Sequence, residues 1–186
     1  MKLYEPLPET VEYMGKVYKL DLSFTSVLAA LDALENDDLF GEIKLKTALD
    51  LLVLDKHPCD SELLRAVTKL IVPNEKQSKE QVMDFEQDWQ SIYAAFRQAY
   101  GIDLFKEKDM HWYVFSALLK NLPDTTRLAS IIDIRQKPIP KPTKGNAEYR
   151  AWLMHAKAEF ALKRAGQFEK GLQSLFEALK SQAVRR

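Results

Sequence analysis

Asp84, Glu86 and Asp88 lie within five residues of one another, and clustered carboxylates are what a metal site or acid–base chemistry would need. On a helix, residues two apart point about 200° from each other, so these three do not converge. Asp84 and Asp88 share a face, yet no histidine or further acid is spaced to join them. Placement near a helix N-terminus, where negative charge is favoured, is the simpler reading. The three histidines, His57, His111 and His155, are far apart, and none stands in an HxxxH or HExxH spacing. A structural role suits each better than catalysis, and Arg150 and Lys157 beside His155 argue that it is exposed. Cys59 is the only cysteine, which excludes an intramolecular disulfide and a cysteine-built metal cage. An incidental loop position explains it more simply than a reactive thiol does. No P-loop, GxGxxG, GxSxG or CxxC occurs, and six glycines leave little from which to build a phosphate cradle. The expectation is a protein with no catalytic, metal or cofactor residues, and not an enzyme.

Partner binding is the remaining class, and charge bears on it. The chain carries 27 basic and 27 acidic side chains. From Lys141 onward, ten Lys/Arg face four Glu, a net of +6, so the preceding 140 residues carry −6. A basic tail on an acidic body suits an acidic partner, nucleic acid, or the acidic face of another copy. A solvated mixed-charge face is the plainer alternative. The neutral total and the lack of a reading motif disfavour nucleic acid. The opening MKLYEPLPE has no hydrophobic signal core, and no apolar run approaches the roughly 18 residues of a membrane span. An intracellular protein with no membrane contact is expected.

The elements that hold these side chains read as mainly α. Val11–Phe24 predicts a small hairpin turning at Met14-Gly15-Lys16, with Gly15 supplying the positive φ. Two strands are marginal alone, so the hairpin must lie against helices. Phe24, Val27, Leu28, Leu31 and Leu34 then mark a helix capped by Ser23 or Thr25. A second helix covers about 43–54 with Leu45, Ala48, Leu49 and Leu52 inward, its end LDLLVL reading as almost wholly buried. Pro58 breaks the chain, and Asp60 or Ser61 caps a third helix bearing Leu63, Leu64, Val67, Leu70 and Ile71, ended by Pro73-Asn74. After a polar linker at 73–79, a long helix is predicted over about 79–100, capped by Ser78 and ended by Gly101. Its stripe is Val82, Phe85, Trp89, Ile92, Tyr93, Phe96 and Tyr100. At about 33 Å it would be the structural spine.

Asp109 is expected to cap a helix over 111–121 with Trp112, Phe115, Leu118 and Leu119 inward. Asp124 or Thr125 starts the next, short helix with Leu128, Ile131 and Ile132. Pro138, Pro140 and Pro142 then enforce an extended strap carrying Lys137 and Lys141. Thr143–Asn146 reads as a turn ending in an N-cap. The last segment, about 147–182, is helical with breaks at Gly166 and Gly171. One of its faces is Trp152, Leu153, Ala156 and Phe160, and another is Leu172, Leu175, Phe176 and Leu179. The fold class is a multi-helix bundle with a small N-terminal β-hairpin and a C-terminal helical arm after a Pro-rich strap. Its divisions are a core over 1–136, a linker over 137–145 and a basic arm over 146–186. The candidate partner-binding residues are Trp112, Arg135, Lys137, Pro138, Pro140, Lys141, Pro142 and Trp152. For the aromatics a core role is the simpler alternative, and for the strap a spacer role.

The stretch DFEQDWQSIYAAFRQAYGIDL, followed by MHWYVFSALLKNLPDTTRLASIIDIRQKPIPKPTK, resembles the bacteriophage "gene product fifteen" family of siphophages and prophages. The matching features are the acidic DFEQD opening, the YGIDL helix exit, the HWxxFxxLLxxL core and the IRxxxIPKPTK strap. The hairpin around Tyr13–Leu22 with LDLSFTSVL fits as well, and the likeness runs to about Lys163. The stretch Ala165–Arg186 extends beyond it.

That resemblance implies a place in the tail-morphogenesis cluster, and hence a tail assembly chaperone in the host bacterial cytoplasm. Such a protein covers the helical tape-measure protein, is displaced as tail-tube protein polymerises, and self-associates head to tail. The alternative it leaves open is a structural tail or connector component retained in the virion. The family offers no catalytic or binding residue to carry over.

Overall fold

A computed structural model of the chain describes residues 4–36, 38–71 and 82–163. Among these residues are one two-stranded antiparallel sheet and seven α-helices, so the expected mainly α fold with an N-terminal hairpin is present. The described residues fall into two units. One contains residues up to 71 together with 107–117, and the other contains 82–106 and 118–163.

In the first unit, strands β1 (Thr10–Tyr13) and β2 (Lys16–Lys19) pair from Thr10↔Lys19 to Tyr13↔Lys16. The connection is two residues long, and Met14 and Gly15 both have positive φ, the geometry that matches the twist of the flanking strands. Alternation then turns Tyr18, Leu20 and Leu22 to the core and leaves Val17 in solvent. Helices α1 (Phe24–Glu35), α2 (Gly41–Leu52) and α3 (Ser61–Ile71) supply the rest of that core. Val27, Ala30 and Leu34 meet Leu45, Ala48, Leu49, Leu52, Leu63, Leu64 and Val67 there. The second helix has the predicted inward residues, but it ends at Leu52. Val53 bridges to Leu20, and the amide of Leu54 donates to Lys19, leaving the Leu54 side chain exposed. The run LDLLVL is therefore only partly buried, because its end has left helical geometry. The expected stop at Pro73-Asn74 lies outside the described residues.

The Asp109 cap is replaced by a histidine. Nδ1 of His111 accepts from the Tyr113 amide (3.1 Å). Nε2 faces the Pro8 carbonyl at 3.1 Å. An Nδ1 that accepts leaves the ring proton on Nε2, which fixes the neutral tautomer. Helix α4 (Trp89–Tyr100) lies in the second unit. Helix α5 (Trp112–Lys120) follows, and in the first unit Phe115 stacks on Phe24 with centroids 4.6 Å apart.

The second unit is built by α4, α6 (Arg127–Gln136) and α7 (Ala147–Glu159), with Ile92, Ala95, Phe96, Leu128, Ile131, Leu153 and Ala156 buried. The long spine expected over 79–100 is shorter than predicted. Residues 82–88 are not helical, and Ser78 with the start of that span lies outside the described residues. The cause is local: Asp84 accepts from the Gln87 amide (2.6 Å), and Asp88 accepts from the Asp84 amide (3.0 Å). These side chains close a single turn around the bond from the Asp88 amide to the Asp84 carbonyl (2.9 Å), and the helix itself begins only at Trp89. Thr126, not Asp124 or Thr125, caps α6 through its hydroxyl, which accepts from the Ala129 amide. The expected linker at 137–145 falls inside the second unit, where α7 packs on α6. No helix among the described residues is long and apolar enough to cross a membrane.

Candidate partner-binding surface

Two of the carboxylates that suggested chemistry, Asp84 and Asp88, are structural, and Glu86 is exposed. Asp88, the residue that precedes α4, takes Arg135 in a two-pronged ion pair of 2.6 and 2.9 Å. Both side chains are shielded, at 5% and 8% exposure. Arg135 also donates to the carbonyls of Val82 (3.0 Å) and Phe160 (2.6 Å). Its planar fork thus ties the segment before α4 to the end of α7, and Arg135 is not free to meet a partner. Lys157 adds a bond to the Arg135 carbonyl. No group of three or more potential metal-ligating side chains converges among the described residues. His57 is held between Asp50 and the Pro58 carbonyl, and His155 is exposed. Burial and neighbouring carboxylates raise the pKa of the Cys59 thiol, which opposes thiolate reactivity.

The remaining candidates divide by unit. Trp112 packs against the first unit's core, and its indole N–H donates to the Ile71 carbonyl at 3.0 Å. Lys137, Pro138, Lys141 and Pro142 are exposed. Arg150 holds the middle of the strap by donating to the Pro140 carbonyl. Asn146 secures its far end by accepting from the Thr143 amide (2.9 Å) and donating to the Lys141 carbonyl (2.9 Å). Trp152 was expected inward with Leu153 and Ala156. It is 54% exposed, because only the Leu153 edge of α7 is covered.

Two aromatic surfaces remain open in the second unit. Trp89, at the start of α4, is half exposed and meets Phe105 edge-on at 6.4 Å. Phe105 is exposed and also contacts Tyr93 at 5.1 Å. The Tyr93 hydroxyl donates to Asp103 (3.4 Å), which holds the loop carrying Phe105 against the helix. The other surface is on α7, where Tyr149 stacks on Trp152 with centroids 5.9 Å apart, and Met154 is exposed nearby in sequence. Sequence reasoning missed Tyr149, Phe105 and the outward setting of Trp89. The i,i+3 spacing of Tyr149 and Trp152 was a visible signal. Nothing local marks Phe105, since its position depends on how the loop returns to α4.

Open aromatic faces on a helical frame, without converging reactive groups among the described residues, have the chemistry of a docking surface. A family model described as bacteriophage Gp15 protein matches residues 3–162. No curated protein and no solved structure matches the chain.

Proposed function

We propose that this chain, which belongs to the bacteriophage Gp15 protein family, is a non-enzymatic tail assembly chaperone that binds the tape-measure protein. Its work is to cover apolar helical surface on that partner in the host cytoplasm until the tail-tube protein displaces it. The observation that supports this reading is the shelf of Trp89 and Phe105, large aromatic rings left open on a helix and its return loop and backed by the part-buried Tyr93. Rings already held in place give large contact area at small entropic cost when a partner helix lies across them.

The test is co-expression of the full chain with the tape-measure protein of the same phage. A recovered complex and a gain in tape-measure solubility are expected, and Trp89→Ala should weaken both. Intact solubility of the tape measure alone, or no complex, overturns the reading. Mass spectrometry of purified particles should lack this chain. Its presence there in stoichiometric amount would make it a tail component instead.

A further inference from the structure

We propose that the aromatic shelf of the second unit takes an arginine side chain from the partner helix, laid on the rings and paired with Asp103. This deepens the tape-measure reading and rests on it, adding the charge that the covered segment must carry. Trp89 is half exposed and Phe105 more so, and their rings meet at 76° with centroids 6.4 Å apart. Tyr93 backs them, tilted 47° to Phe105 at 5.1 Å. The faces of aromatic rings are electron-rich, so rings this open attract a cation as well as apolar surface.

A carboxylate beside the shelf decides between those two occupants. Oδ1 of Asp103 accepts from the Tyr93 hydroxyl (3.4 Å) and from the Phe105 amide (3.2 Å), which fixes the acid next to both residues. The Asp103 side chain is 22% exposed, and its Oδ2 faces Lys106 at 3.9 Å, a lysine that is itself 80% exposed. An ion pair that long and open contributes little, so water must solvate the rest of this charge. A wholly apolar helix laid over the shelf would strip that water and leave the carboxylate poorly compensated. An arginine avoids the loss. Its planar guanidinium stacks on an aromatic face and presents N–H groups along its rim to a carboxylate. Exposed Glu86, three residues before Trp89, adds negative charge at the same end of α4. The partner segment that fits is therefore an amphipathic helix with an arginine bordering its apolar stripe.

Two synthetic amphipathic helical peptides test this, alike except that one arginine beside the apolar stripe is citrulline in the second. Citrulline keeps the shape and loses the charge. Titrated calorimetrically into the full chain, the arginine peptide should bind roughly five-fold more tightly, the gain of one cation–π contact at a half-open site. Asp103→Asn keeps an acceptor for Tyr93 and Phe105 but removes the charge, and Trp89→Leu keeps apolar bulk but removes the ring. Each should reduce the preference for arginine to about two-fold or less. Equal binding of the two peptides by the parent, no binding of either, or a preference that survives both changes overturns the proposal. Co-expression with the tape measure separates this idea from the reading it rests on. A tape-measure complex together with equal peptide binding removes the arginine and leaves the chaperone. An arginine preference without a tape-measure complex upholds the cation site and overturns only the chaperone reading.

Discussion

Arg135 and Asp88 face each other across 47 positions of sequence and form a buried, two-pronged ion pair. Asp88 stands just before α4, and Arg135 lies in the last turn of α6. Asp88 precedes Ile92 by four residues, and Arg135 follows Ile131 by four. The pair thereby fixes which stripe of α6 meets the start of α4, and two carbonyl bonds from the same guanidinium add the ends of the unit.

Removing one partner leaves a buried charge without compensation. Arg135→Ala should destabilise the second unit by about 3–5 kcal/mol, read by urea unfolding. Arg135→Lys should recover little, because an ammonium cannot reproduce the planar fork. The double change Arg135→Met with Asp88→Leu should be far milder than Arg135→Ala. Equal damage from both would mean that the pair itself, and not the orphaned charge, matters.

The three tryptophans should separate stability from binding. Trp112→Phe leaves the buried end of α3 without its indole donor and should cost about 1–3 kcal/mol in thermal unfolding. Trp89→Ala and Trp152→Ala remove exposed rings and should stay within about 0.5 kcal/mol of the parent. Binding measurements on the same proteins should show the opposite order, with Trp112→Phe retaining its partners.

Acid should weaken the first unit through Asp21. Burial pushes its pKa up, but hydrogen bonds from the Ser26 hydroxyl (2.6 Å) and the Ser23 amide (2.9 Å) outweigh that and hold it below 3.8. A depressed carboxylate stabilises the fold above its unfolded pKa, and that contribution is lost as pH falls through the folded value. Asp21→Asn should therefore lose stability at neutral pH and show a flatter acid limb below about pH 4. An unchanged acid limb, followed by circular dichroism, would contradict this assignment.

Alkali acts through Tyr13, whose hydroxyl donates to Asp60 at 2.7 Å. That hydrogen bond, with burial and the negative charge of Asp60, lifts its pKa from 10.0 to about 12. Its stabilising effect is complete below pH 10.0 and disappears as pH rises toward 12. Spectrophotometric titration should show one tyrosine ionising late, and Tyr13→Phe should remove that phase along with part of the alkaline slope of stability.

The sequence by itself determined the hairpin, the inward residues of the second helix, most of those of the first and third (Leu28, Leu31 and Leu70 are only partly covered), and the family. Each of these is local. A Met14-Gly15 turn needs only its own φ angles, and periodicity at 3.6 residues marks a stripe without knowledge of the neighbour.

Tertiary structure decided how wide each stripe is covered. Trp89, Trp112 and Trp152 all lie on helices with apolar stripes, yet one is fixed to the Ile71 carbonyl and the other two stand half open to solvent. The histidine at the start of α5 was likewise held by a distant partner, the Pro8 carbonyl. Helical pattern gives each side chain a direction. What lies in that direction depends on chain folded back from many residues away, which no local spacing encodes.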